Sequence, residues 1–219
     1  MKIPVVEIAV NMIDVIPGIL EKEWPRIEEK INLVKGYSEW VQIDVADNTL
    51  VPNETMLKFD QFVQFDHLSF EAHLMVSHPE KYMKPLADAG FRRVIAHVEC
   101  QDPREFLKQA EFEEVEVGLA IDGATELEVI EPFLEEIDVV LVMTIEAGFS
   151  GQELMMETIE KIKTIHQNYP DLPIEVDGGI NDKTAKVVKD AGATRLVSTS
   201  FLFKDPSGIA HAIEQLKNE

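Results

Sequence analysis

A (β/α)8 (TIM) barrel is the fold class this sequence predicts, and three observations predict it. Apolar, β-branched runs recur roughly every 25–30 residues along the chain. Segments with helical spacing, about ten to eighteen residues long, separate them. The runs number eight, and eight alternating strand–helix units favour a parallel sheet closed on itself over an open one. No linker, short repeat or low-complexity stretch divides residues 1–219, so one domain is expected.

The elements follow in order. Val5–Val10 reads as the first strand from its valine and isoleucine content. A helix from about Glu21 follows, with Trp24, Ile27, Ile31 and Val34 on one face. Trp40–Val45 is the second strand. Its alternation sends Val41, Ile43 and Val45 to one face and Gln42 and Asp44 to the other. Asp47-Asn48 and Pro52-Asn53 then turn the chain into a short helix over Asn53–Gln64. Phe70–Val76 is the third strand, with Glu71, His73 and Met75 on a common face. His78-Pro79-Glu80 starts a helix with proline at its first position. Strands at Arg93–Val98, Val115–Ile121 and Val139–Ile145 precede helices near Asp102, Glu126 and Glu153. Ile174–Asp177 leads through Gly178-Gly179 into a helix from Asn181, and Arg195–Thr199 precedes a last helix from Gly208.

Composition narrows the classes of function. A formal net charge of −21 argues against nucleic acid and anionic membranes as partners. It also requires that any anionic substrate be captured by a local nest of backbone N–H groups, against the global field. No apolar run is long enough to span a bilayer, and the N-terminus lacks a signal-peptide layout. The single cysteine, Cys100, forms no internal disulfide and suits a reducing cytoplasm; it is expected to pack rather than react.

Barrel chemistry sits at the C-terminal ends of the strands. Asp44 is the first candidate there, because a buried carboxylate is costly unless paired or bound to a metal. The third strand neighbours the second, which brings His73 within reach of the same ion. Asp177 closes the seventh strand, three steps round the ring from the second. Two carboxylates nearly across the mouth address opposite faces of one substrate carbon, as an epimerase requires. A divalent cation there would stabilise an enediolate between the two proton transfers. Gly178-Gly179, the loop Gly148-Phe149-Ser150-Gly151-Gln152 and the strand-8 end with Thr199 and Ser200 offer backbone donors to a phosphate. His97 is expected to be a buried, hydrogen-bonded histidine, and His166 and His211 surface residues.

At this point the residues resemble a family. Ile43-Asp44-Val45-Ala46-Asp47-Asn48 with Val51-Pro52-Asn53 is similar to the strand-2 motif of ribulose-phosphate 3-epimerases. So are Ala72-His73-Leu74-Met75-Val76, Val142-Met143-Thr144 with the glycine loop from Gly148, and Glu175-Val176-Asp177-Gly178-Gly179-Ile180. His97-Val98-Glu99 and Ala124-Thr125 also fall where that family has similar residues. The resemblance implies a barrel of the ribulose-phosphate-binding type that interconverts ribulose 5-phosphate and xylulose 5-phosphate. It implies Asp44 and Asp177 as acid and base, and Asp44, His73 and Asp177 as ligands of zinc, iron, manganese or cobalt. Met75 lines the metal pocket by the same resemblance, and phosphate falls on Gly148 to Gly151, Gly178, Gly179 and the end of strand 8. It further implies a cytoplasmic homo-oligomer, a dimer or larger.

Several positions depart from the family pattern. The second metal histidine is Gln42, a harder and weaker ligand, which implies that the metal is held weakly or is absent. The substrate-contacting serine after strand 1 is read at Asn11, and a pocket methionine is replaced by Ala46. Glu146-Ala147 precede the glycine loop, and Thr199-Ser200-Phe201 replace a Gly-Ser end to strand 8. Two functions are therefore carried forward: a sugar-phosphate 3-epimerase, and a catalytically impaired relative that binds a phosphosugar, another anion or a partner protein. Barrel relatives that cleave aldols or decarboxylate carry Asp-x-Lys-x-x-Asp after strand 2. Here Ala46 takes the lysine position, which disfavours them.

Overall fold

The structure, a computed structural model, describes residues 13–218. Among them, eight parallel strands close into a barrel in which each pairs with its sequence neighbour and the last returns to the first. They are β1 (Asp14–Ile19), β2 (Trp40–Ala46), β3 (Ser69–Met75), β4 (Arg93–His97), β5 (Glu116–Ile121), β6 (Val139–Met143), β7 (Ile174–Asp177) and β8 (Arg195–Ser198). The helices are α1 (Trp24–Val34), α2 (Glu80–Asp88), α3 (Pro103–Ala110), α4 (Thr158–Asn168), α5 (Ala185–Ala191), α6 (Ser200–Lys204) and α7 (Ile209–Asn218). No described helix is long and apolar enough to cross a membrane.

Strand alternation sorts the core into two shells. Val41, Ile43 and Val45 face outward and join Ile27, Ile31 and Val34 of α1 in the layer between barrel and helices. Ala46, Met75, Ile95, Ala120, Leu141 and Met143 fill the interior. Phe62, Phe70 and Phe91 pack edge-to-face or tilted against one another outside β3, with ring centroids 5.0–5.6 Å apart. The Asp102 side chain caps α3 by accepting the Glu105 N–H at 3.0 Å, with Pro103 in the first turn.

The first strand departs from expectation. The expected strand Val5–Val10 and the site residue Asn11 both lie outside the described residues. The barrel is completed instead by Asp14-Val15-Ile16-Pro17-Gly18-Ile19. Proline and glycine make this a poor strand by propensity. Yet Gly18 fits closely, because a Cβ there would lie 2.6 Å from Thr199 Oγ1 and 3.0 Å from Val197 Cγ1, so those side chains would have to shift. Leu20, which follows this strand, lines the mouth of the barrel.

Smaller differences have local causes. The helix expected near Glu126 is two 3-10 turns, 127–129 and 131–133, where Pro132 withholds a backbone donor. The helix expected over 53–64 shrinks to a 3-10 turn at Asp60–Phe65. Helices expected from Glu153 and Asn181 begin at Thr158 and Ala185, and α6 had no separate sequence signal.

Toward the N-terminal ends of the strands the interior is polar. Arg93, buried, pairs with Glu71 at 2.5 Å and Glu116 at 2.7 Å, lies 3.8 Å from Glu175, and stacks over Trp40. Among the described residues, both Glu175 carboxylate oxygens, one of Glu71 and Arg195 Nη1 are buried without a hydrogen-bond partner. Burial raises the Glu175 carboxyl well above the ordinary range, and the Glu71 charge pushes the same way against Arg93 and Arg195.

Candidate active site

Register places the site. Asp44 on β2 is the direct partner of His73 on β3, and Asp177 ends β7 beside Met143. The three side chains converge at the C-terminal mouth, all buried, with one ligand atom of each within 4.8 Å of the others. His73 Nδ1 lies 3.1 Å from Asp44 Oδ1 and 3.6 Å from Asp177 Oδ2. Gln42, one pleat deeper and fully buried, donates from Nε2 to Asp44 Oδ1 at 2.8 Å and to Asp177 Oδ2 at 2.7 Å. A single amide nitrogen thus bridges the two acids.

These contacts set the charges. Burial raises the Asp44 carboxyl, and the Asp177 charge adds to the rise, against hydrogen bonds from His73 and Gln42. Burial disfavours a charged His73, but its bonds to Asp177 and Asp44 and their charges outweigh that and hold it up to about 10. The cluster therefore keeps a cationic imidazole against the two acids.

The donor set suits a divalent cation. Two carboxylates and an imidazole at these separations are a hard-to-borderline ligand set. Gln42 Oε1 is buried with no hydrogen-bond partner among the described residues. Turning the amide over would exchange Nε2 for Oε1 and aim this orphaned oxygen between the carboxylates as a fourth ligand. Asp44, His73, Asp177 and Gln42 are thus the residues that could hold such an ion.

Above the acids lies a cleft of about 460 Å³ including its open mouth. Met75, Gly148, Phe149, Ser150, Gly151, Gly178, Gly179, Thr199 and Ser200 all line it. Met143 and Ile180, which stand in the family-like motifs, also line it, as do Leu20, Ile145 and Val197, which had no signal beyond their place at strand ends. The Glu146 side chain is exposed and does not line the cleft.

The glycine turns are tightly fitted. Gly178 and Gly179 both have positive φ, at 114° and 65°. A Cβ on Gly178 would stand 2.2 Å from Ile145 Cγ1, and one on Gly179 would stand 2.7 Å from Leu154 N. Thr144 pins the turn: its N–H donates to Asp177 O at 2.8 Å and its hydroxyl to Gly178 O at 2.5 Å. Below the turn, Thr184 Oγ1 donates to Gly179 O at 2.8 Å, and the Asn181 carbonyl oxygen of the side chain accepts the Lys183 N–H at 2.9 Å. Asn53 Nδ2 donates to Gly148 O at 2.7 Å and ties the β2 loop to the β6 loop.

One feature went unread in sequence. His97 is buried as expected, but its Nε2 lies 2.9 Å from His73 Nε2, and its Nδ1 lies 3.2 Å from Glu99 Oε2. Burial alone would raise the Glu99 carboxyl, but bonds from His97, Thr125 and the Asp122 backbone hold it down at about 2. The signal was present: β4 alternation turns His97 inward, beside the strand that carries His73. His166 and His211 are exposed, and Cys100 is buried.

Comparison with known proteins gives the family. The sequence profile of the ribulose-phosphate 3 epimerase family matches residues 14–203. The ribulose-phosphate 3-epimerase of Schizosaccharomyces pombe is 36% identical over 194 residues, 85% of each chain. That of Bacillus subtilis is 33% identical over 201 residues, 88% of this chain and 93% of its own. In structure, the chain resembles 3-hexulose-6-phosphate synthase from Salmonella typhimurium with a TM-score of 0.71 at 16% identity. That match covers 93% of this chain and 96% of the other, and at such identity it speaks for the fold alone. The barrel supplies the frame and the aligned sequence supplies the kinship: this chain belongs to the ribulose-phosphate 3-epimerase family.

Proposed function

We propose that the chain is a sugar-phosphate 3-epimerase that interconverts ribulose 5-phosphate and xylulose 5-phosphate. The observation that carries this reading is the pair Asp44 and Asp177, on strands three steps apart and bridged by Gln42 Nε2 at 2.8 and 2.7 Å. A ketose phosphate lying across the mouth would expose the two faces of its C3 to the two acids.

One aspartate, ionised, removes the C3 proton from its face. The other, protonated, delivers a proton to the opposite face, and the roles exchange in the reverse direction. The raised Asp44 carboxyl suits a group that takes up and gives back a proton. His73 lies against both acids, and Gln42 holds their separation. A divalent cation bound by Asp44, His73 and Asp177 supplies positive charge beside the oxygens where charge builds as the proton leaves. The backbone of Gly148–Gly151, Gly178, Gly179 and Ser200 receives the phosphate, which a chain of net charge −21 could not attract at long range. Leu20, Met75 and Met143 form an apolar wall that keeps water from the reacting carbon.

The test is epimerisation of ribulose 5-phosphate with added zinc, iron(II), manganese or cobalt, together with deuterium wash-in at C3 from heavy water. Asp44→Asn and Asp177→Asn should each lose about 10²–10⁴-fold in turnover while remaining folded. Sugar-phosphate binding without exchange at C3 under any ion would defeat this reading and favour a ligand-binding role.

A further inference from the structure

Behind His73 runs a buried file of polar groups that the proton transfers do not use. The His73 and His97 rings meet edge to edge, their planes 19° apart and their centroids 5.0 Å apart, and each residue is 1% exposed. Their Nε2 atoms face one another at 2.9 Å. Two facing imidazole nitrogens can bond only if one carries a hydrogen and the other a lone pair. The far end of the file decides which. Glu99 Oε2 lies 3.2 Å from His97 Nδ1, and its other oxygen already accepts the Asp122 N–H at 2.9 Å. An ionised carboxylate only accepts, so His97 must carry its hydrogen on Nδ1. Its Nε2 is then a lone pair, and His73 must donate from Nε2. That leaves His73 Nδ1, the nitrogen 3.1 Å from Asp44, as the only ring atom able to present a lone pair to the mouth.

We propose that Glu99 and His97 are positioning residues that fix the His73 tautomer and thereby reserve its Nδ1 for a divalent cation between Asp44 and Asp177. This rests on the reading of that cluster as a cation site. The relay itself concerns ring hydrogens and can be tested apart from it. Without the cation, Nδ1 carries a hydrogen bonded to Asp44; Nε2–H is kept in both states. Lys161, which donates to the Asp122 carbonyl at 2.9 Å and the Gly123 carbonyl at 3.2 Å, holds the loop whose N–H orients Glu99.

Glu99→Gln inverts the far end at nearly constant shape. The Asp122 N–H claims the amide oxygen, so the NH₂ is presented to His97 Nδ1, which must now accept. His97 then carries its hydrogen on Nε2, against His73 Nε2–H. The first readout is the tautomer of His97 in metal-free wild-type protein, from two-bond ¹H–¹⁵N correlation spectra of ¹⁵N-histidine-labelled material. A hydrogen on Nδ1 is expected, and one on Nε2 overturns the proposal. The second is manganese and cobalt affinity by competition with a chromophoric chelator. Glu99→Gln is expected to weaken it about 10–100-fold, with Glu99→Asp, which keeps an acceptor, recovering most of the loss. Wild-type affinity in Glu99→Gln with an unmoved tautomer would overturn the proposal. If wild-type protein binds neither ion, the cation reading of the mouth fails, and with it the proposal's cation clause, whatever the tautomer.

Discussion

Glu175→Gln should stabilise this protein at neutral pH. Among the described residues both Glu175 oxygens are buried without a hydrogen bond, and Arg93 Nη1 stands 3.8 Å away. At an effective dielectric of about 20, that separation is worth about 4 kcal/mol of attraction. Desolvating the carboxylate costs several kcal/mol, and Arg93 already serves Glu71 and Glu116 at shorter range. Repulsion from Glu71 tips the balance further. An amide of the same shape has no net charge to desolvate, so the expected gain is about 1–3 kcal/mol. For a chain of this length each kcal/mol raises the melting temperature by about 2–4 °C.

The pH dependence separates this cause from others. The folded state raises the Glu175 pKa, so it holds that proton more tightly than the unfolded chain does. Wild-type stability is therefore lost as pH climbs from the ordinary glutamate range towards the raised value, and is flat with respect to this group below that window. Chemical denaturation of both proteins from pH 4 to pH 8 should show curves that nearly meet at the acid end and diverge towards neutrality. A Glu175→Gln protein less stable than wild type at pH 8 would refute the reasoning, since it would mean the carboxylate is a net partner of the two arginines.

Two further outcomes follow from the mouth of the barrel. Gln42→His should tighten zinc about 10–100-fold by chelator competition, because the wild-type amide must break at least one charged hydrogen bond worth about 1.5–3 kcal/mol to admit the ion; equal affinity would show that the bridge does not compete. Gly178→Ala combines a φ of 114° with a Cβ 2.2 Å from Ile145 Cγ1, so denaturation should report a loss of about 2–5 kcal/mol, and an unchanged midpoint would contradict the packing described.

Most of the barrel was legible because parallel strands buried on both faces read as dense β-branched runs, as in Val139-Val140-Leu141-Val142. β1 was not, because Pro17-Gly18 weakens the local signal; what favours glycine there is the close approach of Thr199, far along the chain. Among site residues, Asp44, His73 and Asp177 stood out as polar groups inside apolar strands. Gln42 stood out as well, but its role could not be read: whether an amide bridges two acids or binds an ion depends on which way it faces. The link between His73 and His97 was hidden for another reason. It depends on ring orientation across two strands, which alternation constrains only to a common interior.

The pairing of β1 with β8 has a consequence for how the molecule is made. Asp14 through Pro17 find their partners in Arg195 through Ser198, at the opposite end of the described chain. Every other strand can pair with one synthesised just before it, whereas this seam must wait for the whole ring. Until then a growing chain carries two unsatisfied sheet edges, which are templates for pairing between molecules. The long loop that closes last makes the seam entropically slow. Aggregation during refolding should accordingly respond most to changes in these two strands, and a permutant that joins them through a short linker and opens the ring elsewhere should refold with less loss.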